Sequence, residues 1–331
     1  MSGLDQIIGQ EPVIEHLRTA VLMERISHAY ILEGDEGSGK KLIARTFAKT
    51  IQCEVGGLTP CGKCHSCLQM ESGSQPDVIY VNHENPGLIS VDEIRNQITK
   101  DISIRPYSSP RKIYIVDEAQ KMNEQAQNAL LKTLEEPPEY AVIMLLTSNA
   151  ETLLPTIRSR CVTLKLTPLS DEQVRTYLTD HLSIPAEQAR VCAAFAQGSI
   201  GRALLLAHNE KFMQVRASAV ELLKRMSDID SYEMKKAIKQ VQDYKIDTGD
   251  YLDLLSVWYR DVLRFKATQE ADAIIFSDET MEILNQSNRF SYAGLEEILQ
   301  AITTARGRLR ANVSFDLTME LLLETIKENQ K

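Results

Sequence analysis

Short apolar runs alternate with helix-like patterns through the first half of the chain. Apolar residues recur at helical spacing before the first run, as in Val13, Leu17 and Val21. The runs themselves are nearly unbroken, which is typical of strands covered on both faces. The strands are predicted at residues 28–32, 77–81, 112–116, 141–146 and 162–166. Helices are predicted between them at 11–24, 42–50, 91–101 and 123–134. The pattern therefore predicts an α/β domain built on a parallel sheet.

The second half of the chain shows helical spacing alone. Ser170 and Gln173 are placed to form a capping box at the start of the first helix in this half. Leu254, Trp258 and Phe265 recur on one helix face, which favours a core stripe over a ligand site. Helices are predicted at 188–197, 200–207, 210–226, 233–244, 250–266, 278–285, 292–307 and 316–327. This half is predicted to be all-α.

A glycine-rich loop lies between the first predicted strand and a predicted helix. It reads Gly34-Asp-Glu-Gly-Ser-Gly-Lys40-Lys41, with glycines at 34, 37 and 39. Gly34, Gly37 and Gly39 would let the backbone turn around phosphates, and Lys40 would neutralise them. A nucleotide hydrolase has Ser or Thr after that lysine to ligate Mg²⁺, whereas this chain has Lys41. The loop is predicted to bind ATP or ADP weakly or without hydrolysis, with Mg²⁺ disfavoured; a plain tight turn is the alternative.

Polar residues follow two of the predicted strands. Asp117 and Glu118 end the run 112–116, and Asn149 follows the run 141–146. The carboxyl ends of parallel strands are where α/β sheets bind ligands. Asp117 would hold Mg²⁺, Glu118 would be a weak or vestigial base for the attacking water, and Asn149 would contact phosphate. The alternative for the acidic pair is a helix N-cap.

Four cysteines lie close together in the sequence, after the helix that follows the glycine-rich loop (called the phosphate loop below). Cys53, Cys61, Cys64 and Cys67 are spaced C-x7-C-x2-C-x2-C. Four thiolates on a compact loop complete a tetrahedral zinc site with no open position. The segment 53–67 is thus predicted to be a structural zinc knuckle. Reduced cysteines without metal, or His65 as one ligand, are the alternatives.

Composition and charge narrow the class of protein. The chain has 331 residues, 43% hydrophobic and 25% charged, as in soluble globular proteins of two or three domains. No apolar run is long enough to span a membrane and no leader opens the sequence, so a cytoplasmic location is expected. The net charge of −9 disfavours bulk electrostatic binding of nucleic acid, including a DNA-reading role for the knuckle.

These motifs together resemble the AAA+ clamp-loader subunits of bacterial DNA polymerase III. The resemblance implies a three-domain AAA+ fold: a P-loop parallel-sheet domain with the zinc knuckle (1–167), a helical lid (168–208) and a helical collar for oligomerisation (209–331). The residues that carry it are Gly9-Gln10, the glycine loop, the four cysteines, Asp117-Glu118-Ala119, the stretch from Leu130 to Pro138, Thr147-Ser148-Asn149 and Ser159-Arg160-Cys161.

Within this family, Lys41 makes the chain similar to the delta-prime (stator) subunits, and a gamma/tau-like ATPase is the alternative. The resemblance implies that Arg160 is an arginine finger reaching ATP on the adjacent gamma/tau subunit, and that Arg202 faces the chain's own nucleotide site. From the residues alone, Arg160 is open to a plainer role in a solvated basic turn. The implied partners are gamma/tau and delta, with the sliding clamp and primer-template DNA contacted through the complex.

Overall fold

A computed structural model describes residues 3–243, 248–271, 274–311 and 313–330. The chain packs as two compact units, Met1–Gln173 with Gly198–Arg202, and Val174–Gln197 with Ala203–Lys331. The three domains expected above, and the two boundaries between them, remain predictions. Among the described helices, none combines the length and the apolar character that a bilayer span requires.

The first unit is organised by a five-stranded parallel sheet. Its strand order is β2-β3-β4-β1-β5, as predicted for a parallel α/β sheet. The strands are β1 (Ala29–Glu33), β2 (Val78–Tyr80), β3 (Lys112–Val116), β4 (Ala141–Thr147) and β5 (Val162–Lys165). β1, β3 and β4 are almost wholly buried because helices cover both faces.

Helices flank this sheet on both faces. Two apolar clusters result: one contains Phe47 of α2 and the other Leu130 of α5. The helices are α1 (Glu11–Leu22), α2 (Lys40–Ile51), α3 (His65–Ser72), α4 (Val91–Ile94), α5 (Glu124–Glu135) and α6 (Pro155–Arg158). The helix predicted at 91–101 differs, because α4 gives way to a π-type turn at Arg95–Thr99. Gln97 in that turn bonds the N–H and the carbonyl of Asn82 (2.9 and 2.6 Å), which anchors it.

Two buried charged side chains shape the connection into β3. The carboxylate of Asp77 accepts backbone N–H groups from Tyr107, Ser108 and Ser109 at 2.7–2.9 Å. Lys112 is 1% exposed and pairs with Asp101 at 2.8 Å. Since an unpaired buried charge is strongly unfavourable, these contacts fix the loop 101–111.

The second unit is all helical, as predicted. It contains α7 (Asp171–Leu182, from Val174), α8 (Ala186–Ala196), α9 (Ile200–His208, from Ala203), α10 (Glu210–Lys224), α11 (Ser231–Asp243), α12 (Thr248–Thr268), α13 (Thr280–Arg289), α14 (Tyr292–Arg310) and α15 (Phe315–Glu328). The helix predicted at 233–244 ends on Tyr244, which lies outside the described residues. The capping box predicted at the start of α7 is confirmed. Ser170 Oγ accepts the backbone N–H of Gln173 at 3.2 Å, and Gln173 Oε1 accepts the backbone N–H of Ser170 at 2.9 Å.

Helix α12 is the centre of the second unit. The predicted stripe is buried, with Trp258 fully enclosed and its indole N–H donating to Gln286 at 2.9 Å. Asp261 on the same helix accepts the N–H groups of Ile275 and Phe276 at 2.9 and 2.8 Å. Burial raises the pKa of Asp261 to about 6, although these hydrogen bonds lower it in part. The stripe is therefore core, as the sequence predicted.

Candidate functional site

The glycine loop joins β1 to α2 as the sequence predicted. Gly37 and Gly39 have φ values of +73° and +96°, a region that residues with a Cβ rarely adopt. A side chain at Gly37 would also collide with Ser199 and would crowd the backbone of Gly201 and Arg202. Glycine at position 37 is thus required both by the turn and by a close neighbour.

That neighbour is the segment Gly198–Arg202, which belongs to the same compact unit as the loop. Ser199 Oγ donates to the carbonyl of Glu36, and Gly201 N–H donates to the carbonyl of Gly37, both at 3.0 Å. Arg202 lies in the first turn of α9, and its backbone N–H donates to Ser199 Oγ at 3.1 Å. The structure therefore brings the backbone of Arg202 beside the glycine loop from a distant part of the sequence.

Lys40 turns back onto the loop that it follows. Its ammonium donates to the carbonyls of Gly34 and Asp35 at 2.6 and 2.7 Å. Burial lowers the pKa of Lys40, and the nearby carboxylates of Asp117 and Asp35 oppose this shift. The Lys40 ammonium, which the sequence predicts to neutralise phosphate, is therefore bonded to two carbonyls of its own loop.

Lys41 forms an ion pair with the residue assigned to Mg²⁺. Its Nζ lies 2.8 Å from Asp117 Oδ2, and the two side chains are 66% and 37% exposed. An ammonium cannot ligate a metal, and here it neutralises the carboxylate that would. The arrangement does not fit a magnesium–nucleotide complex, which needs a hydroxyl and a free carboxylate at these places.

The two remaining predicted nucleotide contacts also have partners within the chain. Glu118 has a φ of +51°, and its carboxylate pairs with Lys121 at 2.7 Å. Asn149 uses its side-chain oxygen to accept the N–H of Glu151 at 2.9 Å, which makes it a helix cap. Each of these two side chains is thus bonded to a residue of the turn that follows it.

Arg160 follows α6 and is held from two sides. Its NH2 group lies 2.8 Å from Glu135 Oε1 at the end of α5, and its NH1 group donates to the carbonyl of Thr156 at 2.9 Å. The side chain remains 35% exposed. The guanidinium is both oriented and accessible to solvent.

The four predicted ligand cysteines are brought together. The sulfur atoms of Cys53, Cys61, Cys64 and Cys67 all lie within 4.8 Å of one another. Tetrahedral zinc with Zn–S bonds of about 2.3 Å places its sulfurs about 3.8 Å apart, so this cluster fits a metal ion with little adjustment.

Hydrogen bonds to the sulfurs support the same conclusion. The backbone N–H groups of Lys63 and Cys64 point at Cys61 Sγ, which lowers the pKa of that thiol to about 6. Burial raises the pKa of Cys67 to about 12, a penalty that a bound cation would remove.

Cys161 and Cys192 lie outside the cluster, and burial raises their pKa values to about 12 and about 11. Cys192 is buried and Cys161 is half-buried, and a raised pKa keeps each thiol protonated and weakly nucleophilic.

Sequence reasoning missed the contacts that join the knuckle to the phosphate-loop helix. Arg45 and Lys49 of α2 both pair with Glu71 of α3, and Arg45 also donates to the carbonyl of Met70. It missed the Glu135–Arg160 pair as well. The Glu118–Lys121 pair was open to detection, because residues three apart can meet on one turn.

Comparison with known proteins identifies relatives along the whole chain. A family model described as DNA polymerase III, delta subunit, matches residues 9–170. A second model, described as DNA polymerase III, delta subunit, C terminal, matches residues 205–326. The chain is 31% identical to DNA polymerase III subunit delta' of Bacillus subtilis over 327 residues, which covers 96% of each protein.

Other proteins match over a smaller or larger share of the chain. It is 37% identical to DNA polymerase III subunit gamma of Buchnera aphidicola over 61% of this chain and 57% of that protein. It is 35% identical to subunit tau of Escherichia coli over 60% of this chain and 32% of that protein. A solved gamma subunit-related protein of Thermotoga maritima aligns over 95% of this chain and 99% of that one, at 20% identity and a TM-score of 0.43.

Proposed function

This chain belongs to the delta subunit family of DNA polymerase III, and on that premise we propose that it serves as the delta-prime, or stator, subunit of the clamp loader. In this role it supports ATP-driven loading of the sliding clamp onto primer-template DNA as part of the polymerase holoenzyme. Its partners are the gamma/tau and delta subunits, and it contacts the clamp and DNA through the complex, in the cytoplasm.

The observation that carries the stator role is the ion pair between Lys41 and Asp117. A motor subunit uses these two positions to hold Mg²⁺, which neutralises the charge that develops on the phosphates. In this chain Lys41 supplies a positive charge at the first position, and that charge neutralises Asp117 at the second. The chain is therefore proposed to be a rigid member of the ring that does not hydrolyse ATP itself.

The catalytic contribution of this chain is proposed to be made in trans by Arg160. Its guanidinium is oriented by the bonds to Glu135 and to the carbonyl of Thr156, and its side chain remains 35% exposed, as a group that must reach a neighbour's ATP would be. A finger of this kind stabilises the charge of the phosphoryl transition state and is worth roughly 10³–10⁵ in rate.

The cysteine cluster is proposed to hold a structural zinc ion. Cys53, Cys61, Cys64 and Cys67 would supply all four ligands, which leaves no open position for catalysis. Its proposed task is to fix α3, whose Glu71 is bound by α2, the helix that begins at the phosphate loop. The proposed lid (168–208) and collar (209–331) would complete the subunit, with the collar closing the ring.

Two measurements test this function. ATP hydrolysis by the purified chain should be negligible and unchanged by Lys40→Ala; robust turnover lost in that variant would favour the gamma/tau-like ATPase instead. In the assembled loader, Arg160→Ala should remove hydrolysis at one ATP site without disturbing assembly. Arg18→Ala is a matched control, because Arg18 pairs with Asp5 at 3.1 Å and is 36% exposed.

A further inference from the structure

Glu135 is the side chain that fixes the direction of Arg160. Glu135 is the last residue of α5, and its carboxylate lies 2.8 Å from the guanidinium. The second bond to that guanidinium comes from the carbonyl of Thr156 in α6. The two elements that hold Arg160 are both packed on the sheet through buried residues such as Leu134 and Ile157.

The position of Glu135 is unfavourable for a carboxylate in isolation. The carbonyl groups at the C-terminal end of a helix carry a partial negative charge, which repels an acidic side chain there. A second acidic residue, Glu136, follows at once and adds to that repulsion. Arg160 is the partner that offsets this conflict, and such conflicts between local and tertiary preference concentrate at functional sites.

The pairing leaves the guanidinium able to bind a phosphate. A guanidinium has five N–H donors. Three are used by the bonds to Glu135, Thr156 and Ser159 Oγ, the last at a long 3.4 Å. Two donors therefore remain on a side chain that is one-third exposed, so phosphate binding does not require the pair to break.

We propose that Glu135 is a positioning residue for the arginine finger, holding Arg160 in the orientation that it needs on the neighbouring subunit's ATP. This inference rests on the proposed function of Arg160. A long arginine side chain that is free in solution samples many rotamers, and fixing it in advance removes that entropic loss from the reaction. The carboxylate thus acts on catalysis through Arg160 and does not touch the nucleotide.

The test uses the loader assembled with ATPase subunits and follows single-turnover hydrolysis of bound ATP. Glu135→Ala should slow hydrolysis of one ATP per complex by roughly tenfold to a hundredfold, the loss typical of a misplaced catalytic group. The maximal single-turnover rate should fall while the half-saturating ATP concentration stays constant, because the finger acts in the transition state. Glu135→Gln, which keeps the hydrogen-bond acceptor, should recover part of the rate. Asp5→Ala is the matched control, since Asp5 is 51% exposed and Glu135 is 50% exposed.

A double-mutant cycle with Arg160→Ala distinguishes the positioning role of Glu135 from the finger role of Arg160. If Glu135 acts through Arg160, adding Glu135→Ala to Arg160→Ala should cause no further loss. Additive losses, or a Glu135→Ala loader that is unchanged or faster, would overturn the positioning role and leave the finger intact. If Arg160→Ala itself has no effect, the proposed finger fails and the inference falls with it.

Discussion

Replacement of Lys41 by threonine should create a Mg²⁺-dependent nucleotide site in this chain. The variant restores the metal-binding hydroxyl of a complete phosphate loop and frees the carboxylate of Asp117. The lost ion pair is solvent-exposed and is worth only about 0–1 kcal/mol, so the fold should persist. Any gain in binding then reports on the site and not on the stability of the chain.

The expected gain in Mg²⁺ affinity follows from the distance between the Lys41 ammonium and a Mg²⁺ ion bound to Asp117. Lys41 Nζ lies 2.8 Å from Asp117 Oδ2, and Mg²⁺ binds carboxylate oxygen at about 2.1 Å, so the two cations would lie within about 5 Å. Coulomb's law gives a repulsion of about 2 kcal/mol in water and about 7 kcal/mol at an effective dielectric constant of about 20. Because Lys41 is 66% exposed, the lower value applies, which is a factor of roughly 30 in Mg²⁺ affinity.

The assay is titration of the purified protein with a fluorescent ATP analogue, with and without Mg²⁺ at constant ionic strength. Lys41→Thr should bind more tightly when Mg²⁺ is present, whereas the parent chain should show no such dependence. Lys41→Arg keeps the positive charge and should behave as the parent, and Lys40→Ala should abolish the gain. Equal affinity and equal Mg²⁺ dependence in the parent and the threonine variant would refute the reasoning.

Three further outcomes follow from buried groups. Cys67→Ser should lower both the bound zinc measured by atomic absorption and the melting temperature, whereas Cys161→Ser should leave the zinc content unchanged. Asp77→Asn should destabilise the first unit by about 3 kcal/mol, because its amide would face backbone donors; urea unfolding followed by circular dichroism checks this. The folded-state pKa of Asp261 is raised from 3.8 to about 6, so the folded state binds the extra proton and the free energy of unfolding should fall as pH rises between these values. Asp261→Asn should remove that decline of about 3 kcal/mol in unfolding followed by Trp258 fluorescence; parallel pH profiles would contradict it.

Several parts of the site were open to sequence reasoning because their signals are local. The glycine loop and the four cysteines are fixed spacings of residue types; the structure places the loop between β1 and α2 and brings the four sulfur atoms together. The helix α3, which begins at the end of the knuckle, escaped prediction, since it is short and is defined by its Cys64 cap and by Glu71, which α2 holds in place. The π-type turn at Arg95–Thr99 escaped for a similar reason, because a side-chain anchor on Asn82 decides it.

The sequence by itself determined the strand and helix pattern, the AAA+ resemblance and the departure at Lys41, because each is a property of neighbouring residues. Only the tertiary structure decided that Lys41 meets Asp117, 76 positions away, and that Ser199 closes on Glu36, 163 positions away. It also decided that Glu135 holds Arg160. Such pairs depend on which strands and turns come to lie side by side. That arrangement is set by packing of the whole apolar core, which no single stretch of sequence encodes.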